Sequence, residues 1–161
     1  MVAAHPDVAE VMDWLKAIPD PEIPALSIVD LGIVRDVHWS SDNSELVISI
    51  TPTYSGCPAL GAIAADIRSS IRDHGIRNFR LETQLSPAWT TDWMSEDAKR
   101  RLQAYGIAPP SPLITIPEPK PACPLCGSND TELVSRFGST ACKAMYRCRA
   151  CLEPFDAFKR H

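Results

Sequence analysis

No run in this chain approaches the ~18 unbroken apolar residues that a membrane-spanning helix needs, so no membrane partner is expected. Its opening, MVAAHPDVAEVMDWL, lacks the basic start and apolar stretch of a secretory signal. The expectation is therefore a cytoplasmic protein. There is no Walker loop, GxSxG, HExxH or dinucleotide glycine motif, which leaves no complete catalytic constellation to read. Internal repeats are absent as well. Positive charge is in short supply: 16 Lys and Arg face 20 Asp and Glu, a net charge of −4. Residues 120–161 carry seven Lys or Arg against four Asp or Glu, so that tail is +3 and residues 1–119 are −7. Four thiolates on a divalent ion would bring the tail to about +1. A near-neutral module beside an acidic domain is a poor nucleic-acid footprint, and no nucleic-acid partner is expected.

What is present suits one ordinary domain with a small appendage: 161 residues, 45% hydrophobic and 22% charged. Proline marks the division. The stretch GIAPPSPLITIPEPKP, 106–121, holds six prolines in sixteen residues. Proline fixes φ and removes a donor, so the stretch reads as a semi-rigid linker rather than a helix or central strand. It separates an N-terminal domain, 1–105, from a module at 122–161.

Periodicity in the first domain predicts helices over 7–18, 58–74 and 95–105, and strands over 33–39, 45–51 and 79–85. Asp42-Asn43 suits a hairpin turn between the first two strands. Leu46, Ile48 and Ile50 are expected on one face, and Phe79, Leu81, Thr83 and Leu85 inward. The order α-β-β-α-β-α implies an α+β fold, a small sheet with helices packed on one face.

Five of the six cysteines follow residue 120. CPLCG at 123–127 and CRAC at 148–151 form two pairs, each with two residues between the sulfurs, a spacing that aims both into one tetrahedron. Gly127 permits the turn after the first pair. Twenty-one residues separate the pairs, just beyond the usual ~15–20 of such zinc sites. Cys123, Cys126, Cys148 and Cys151 are the candidate ligands of a four-cysteine, zinc-ribbon-like module. Zinc is the default ion, with iron or an iron–sulfur cluster as the alternative. Cys142 is a possible additional ligand, although a small half-buried residue is the plainer reading, and terminal His161 reads as solvated.

The sixth cysteine, Cys57, precedes Pro58 in TPTYSGCPALGAI. Proline favours the first helical position, which makes Cys57 the expected N-cap. A sulfur there meets unpaired N–H groups and the positive end of the helix dipole, both of which favour a thiolate. No histidine lies near in sequence, though His38 could approach through the fold. The competing reading is an inert buried cysteine. DPEIP, 20–24, reads as a proline-rigid loop, and WTTDWM, 89–94, as core or a partner surface.

DPEIPALSIVDLGIV (20–34) followed by TPTYSGCPA (51–59) resembles the SufT-type iron–sulfur assembly domain. In that family the cysteine matching Cys57 is implicated in cluster handling. SPAWTTDWM (86–94), CPLCGS (123–128), FGSTACKAMYRC (137–148) and EPFDAFK (153–159) resemble the PaaD (PaaJ) family of the phenylacetyl-CoA epoxidase system. The resemblance implies an accessory role that assists maturation of metal or cluster centres in hydroxylase or reductase partner subunits, with Cys57 as the cluster-handling thiol. Where relatives end in Phe-Lys-Cys, this chain has Phe158-Lys159-Arg160, so no required ligand stands there. A non-catalytic interaction subunit and a rubredoxin-like electron carrier are the alternatives.

Overall fold

The computed structural model describes residues 5–112 and 116–161. Positions 113–115 of the proline stretch and positions 1–4 of the N-terminal opening lie outside the described residues. The chain divides into two compact units, Met1–Trp89 and Thr90–His161.

In the first unit, α1 (Val8–Lys16) starts at Asp7, whose carboxylate accepts from the Glu10 N–H while Glu10 reaches back to the Asp7 N–H. This reciprocal box satisfies donors that a helix start leaves unpaired. Strands β1 (Val34–Trp39) and β2 (Leu46–Ile50) pair antiparallel, and β3 (Phe79–Thr83) joins β2 in parallel, giving the order β1-β2-β3. Between β1 and β2 the turn holds Asn43 at φ 55°. There Asp42 accepts from Ser40 Oγ, Ser44 N and Ser44 Oγ, contacts that hold its carboxyl down at about 2. Between β2 and β3 runs α2 (Ala59–Asp73), which buries Ala59, Ile63, Ile67 and Ile71. It closes on Gly75 at φ 86°: Ile76 N donates to Ile71 O and Gly75 N to Arg72 O. This is the left-handed stop expected after a helix. Helix α1 packs on both α2 and β1.

Two expectations change. All five residues of β2 are buried, because the strand lies between two others and both of its faces are covered. Strand β3 ends at Thr83, and neither Thr83, which is exposed, nor Leu85, at 59% exposed, is inward, while Phe79 and Leu81 are half-buried. The loop 20–33, with no periodicity to announce it, contributes Ile23, Leu26, Ile28, Leu31 and Ile33 to the core, each at most 2% exposed. Ser27 and Asp30 lock it, Ser27 N and Oγ each donating to Asp30 Oδ2 at 2.9 Å. Trp89 belongs to this core: it is 4% exposed, and its Nε1 donates to Leu31 O at 2.8 Å. That excludes it from any contact surface.

The second unit begins with a 3-10 turn, Thr91–Trp93, followed by α3 (Glu96–Ala104), which Ser95 caps through the Ala98 N–H. Gly106, at φ 95°, turns the chain into β4 (Ile107–Ala108). Strands β5 (Thr131–Ser135), β6 (Lys143–Cys148) and β7 (Pro154–Phe158) complete a sheet of order β4-β7-β6-β5. α3 thus groups with the second unit, Thr90–His161. The first residues of the proline stretch form an edge strand, Ala108 aligned with Ala157 of β7. An edge is where a neighbouring proline does least harm to a ladder.

Candidate functional site

Two places gather chemistry-bearing side chains, one in each unit. In the second unit, two backbone knuckles present the four cysteines. In the first knuckle Cys123 N donates to Ser128 O at 2.9 Å, and in the second Cys148 N donates to Glu153 O at 3.0 Å. The residue after each pair takes a positive φ, Gly127 at 77° and Leu152 at 67°. The two loops thus repeat one geometry, once with glycine and once with a leucine that tolerates it at a cost. Strand pairing brings them together: Thr131 aligns with Cys148, so β5 leads back from the first knuckle to the second.

The four sulfurs lie within 4.8 Å of one another. Across the knuckles, Cys126 Sγ is 3.5 Å from Cys148 Sγ, and Cys123 Sγ is 3.8 Å from Cys151 Sγ. A tetrahedron of thiolates with ~2.3 Å bonds to zinc has edges of about 3.8 Å. The donor set and spacing therefore fit a tetrahedral ion. Cys151 and Ala150 N–H groups hold the Cys148 thiol down at about 6, while Cys151, crowded by the other sulfurs, is pushed up to about 12. Cys123 and Cys148 are buried in a small cluster with Ala108, Phe155 and Ala157, while Cys126 is exposed.

Cys142 is not part of this group. It sits in the turn just ahead of β6, six residues before Cys148, where its Sγ lies 3.0 Å from Thr140 Oγ1. Beside it the buried Lys143 Nζ is 3.7 Å from Asp156, which also accepts from Ser139 Oγ. Cys142 is 2% exposed, in keeping with the plainer packing role. His161 is exposed, and its main-chain oxygen accepts from Thr91 N and Thr90 Oγ1.

In the first unit Cys57 is half-buried just ahead of α2. The N-cap is Pro58, one residue later than expected. The Ala59 N–H does point to the sulfur, but it does not prevail. Burial pushes the thiol above its ordinary value of 9.0, and the Glu22 and Asp20 carboxylates add to it, against the Ala59 N–H and the Thr53 side chain. The expected thiolate is thus a protonated thiol at neutral pH, because loss of water outweighs one or two helix-start donors. Asp20 is itself only 5% exposed, its Oδ1 accepting from Glu22 N at 2.9 Å and Ile23 N at 2.8 Å. His38 instead meets Asp36, Nδ1 to Oδ2 at 2.6 Å, and is not among the groups acting on Cys57. Sequence reasoning missed Asp20, Glu22 and Thr53 as neighbours of the thiol. The available signal was that DPEIP and TPTYSGCP carry the same resemblance.

Residues 108–159 match the PaaD zinc β-ribbon domain, and residues 8–75 match the iron–sulfur cluster assembly protein family. A protein of Escherichia coli (strain K12) that is named as one of the subunits of 1,2-phenylacetyl-CoA epoxidase is 51% identical over 159 residues, which cover 97% of this chain and 94% of that protein. The chain belongs to the PaaD family. All four knuckle cysteines fall in the ribbon match of this PaaD-family chain, and Cys57 falls in the assembly-family match. Over 83 residues the chain is 28% identical to cytosolic iron–sulfur assembly component 2B of Dictyostelium discoideum, half the length of each. A solved domain of unknown function, DUF59, from Bacillus anthracis superposes with a TM-score of 0.54 at 31% identity, covering 58% of this chain and 89% of that one. Among the described residues no helix is long and apolar enough to cross a membrane.

Proposed function

We propose that this chain is a cytoplasmic accessory protein, not an enzyme, that assists maturation of the iron–sulfur or other metal centre of partner subunits in a phenylacetyl-CoA epoxidase system. The observation that carries the proposal is the surroundings of Cys57. A half-buried thiol stands beside Asp20 and Glu22 at the head of α2, within the segment that matches the iron–sulfur assembly family. Iron is the cargo there: Cys57 takes it as thiolate once a partner or incoming cation offsets the carboxylates. The ribbon holds one structural zinc on Cys123, Cys126, Cys148 and Cys151, which closes the second unit and presents it to a hydroxylase or reductase subunit. The zinc supplies only cross-linking of the two knuckles. No step of the transfer passes through it.

Cys57→Ser, co-expressed with the epoxidase subunits, is the test. Iron and sulfide content of the reductase subunit falls if Cys57 relays a cluster, and unchanged content removes the relay role. A second reading is favoured by the raised thiol: a protein whose Cys57 stays protonated at neutral pH is an interaction subunit with no cluster handling. It predicts stoichiometric co-purification with the hydroxylase subunits whatever stands at position 57. Iron in the ribbon would support the rubredoxin-like carrier instead, and a colourless protein with one zinc per chain excludes it.

A further inference from the structure

The four sulfurs of the ribbon are not equivalent. Cys123 and Cys148 are 1% and 0% exposed and belong to the buried cluster, and Cys151 packs against that cluster at intermediate exposure. Cys126 lies outside the cluster and is exposed. The sulfur that stands 3.5 Å from it is not the other half of its own pair. It is Cys148 Sγ across the knuckles, in a side chain that solvent does not reach. An exposed sulfur beside a shielded one is the arrangement of an attacked sulfur and a resolving sulfur.

We infer that Cys126 is an oxidation site, taking hydrogen peroxide or a similar small hydroperoxide, and that Cys148 resolves it as a disulfide that opens the metal centre. The inference rests on the reading of the four cysteines as a zinc site. In the first step the Cys126 sulfur attacks one peroxide oxygen. The O–O bond breaks, hydroxide leaves, and Cys126 becomes a sulfenic acid. In the second step the Cys148 thiolate attacks the Cys126 sulfur, the S–S bond forms and a second hydroxide leaves. Two thiolates have lost two electrons and the peroxide has gained them. The ion, left with two of its four thiolates, is released.

The geometry decides the order. Burial keeps peroxide from Cys148, so oxidation does not begin there. The 3.5 Å separation lets Cys148 reach the oxidised sulfur with little backbone movement, since bond formation only has to close the gap to ~2.05 Å. Cys57 is half-buried and so less open to peroxide than the exposed Cys126.

The test uses the full-length, zinc-loaded chain. Zinc is first counted: one per chain is required by the metal reading, and its absence defeats that reading before peroxide is added. Peroxide is then titrated while zinc release is followed with a chromogenic chelator, and the sulfurs are mapped by differential alkylation and mass spectrometry. The expected result is oxidation at Cys126 first, one zinc released per disulfide, and a peptide pair linked through Cys126 and Cys148. Three results overturn the inference: first oxidation at Cys123, Cys148 or Cys57; a disulfide closed within one pair, such as Cys148 with Cys151; or retention of zinc after the thiols are consumed. A Cys142→Ser chain gives the same map if the buried thiol ahead of β6 takes no part, and a link through Cys142 in the parent chain also overturns the inference.

Discussion

The two units reach a fixed structure by different means. The first fully buries Leu15, Leu26, Ile28, Leu31, Ile33, Leu46, Ile48, Ile50, Ile63, Ile67 and Ile71, a core large enough to oppose the conformational entropy of its own chain. The second buries Met94, Ala98, Leu102 and Phe158, but around the knuckles its cluster is only Ala108, Cys123, Cys148, Phe155 and Ala157, two of the five being candidate metal ligands. Leu125, Leu133, Val134, Phe137 and Leu152 remain exposed on it. Apolar residues are present there, but the hairpin is too thin to enclose them, and a module of this size calls for a metal. Burial fixes the first unit; the four-cysteine cluster is suited to fix the second through an ion.

The largest test of this contrast is metal removal. Cys148→Ser, or a strong chelator, should unfold the ribbon while the first unit keeps its fold. Structural zinc contributes about 10–16 kcal/mol in isolated finger peptides, far more than so small a core can replace. Amide spectra of the full chain would show ribbon resonances collapsing and those of α2 and β2 unchanged; collapse of both sets would break the comparison. The reverse experiment is Ile67→Ala. Ile67 is 0% exposed on α2, and such a truncation costs about 2–5 kcal/mol. Thermal unfolding should show the first unit melting earlier while zinc stays bound, and loss of zinc in step with that transition would show that the ribbon depends on the aliphatic core.

A smaller effect separates the two knuckles. Leu152 holds φ 67° with 61% of its surface exposed, so Leu152→Gly should stabilise the ribbon by about 1 kcal/mol. Gly127→Ala should cost about the same. Metal affinity measured by competition reports both, and a weaker site in Leu152→Gly would mean that the leucine packs more than its exposure indicates.

The smallest predicted effect is at Cys57. With its thiol raised above 9.0, the alkylation rate should reach its half-maximum above that pH. The folded state holds the proton more tightly than the unfolded chain, so the neutral thiol favours the fold below 9.0 and this advantage fades as pH rises through the folded value. Glu22→Gln should move the half-maximum down, because one of the carboxylates that disfavour the thiolate is gone. A half-maximum below 9.0 in the parent chain would restore the helix-start thiolate that the sequence suggested.

Most of the regular elements were legible because each is a local pattern. The four-residue spacings on α2, the Asp42-Asn43 turn and the Ser95 cap all state their geometry within a few residues. The loop 20–33 was not legible as core, since its buried residues follow neither a 3.6 nor a 2 period. Which unit the helix at Ser95 to Tyr105 joins was not legible either, because it reads as a helix whichever sheet it serves. Only the turn at Gly106 into a strand beside β7 assigns it.

The same division runs through the chemistry. The sequence by itself determined the four-cysteine cluster, because two CxxC pairs orient their sulfurs through backbone turns only a few residues long. Tertiary structure alone decided what surrounds Cys57. Its protonation depends on burial and on Asp20 and Glu22, carboxylates far upstream that the fold brings to it. It also decided which ribbon sulfur faces solvent, since the spacing is the same for both pairs and only packing against Ala108, Phe155 and Ala157 tells Cys148 from Cys126.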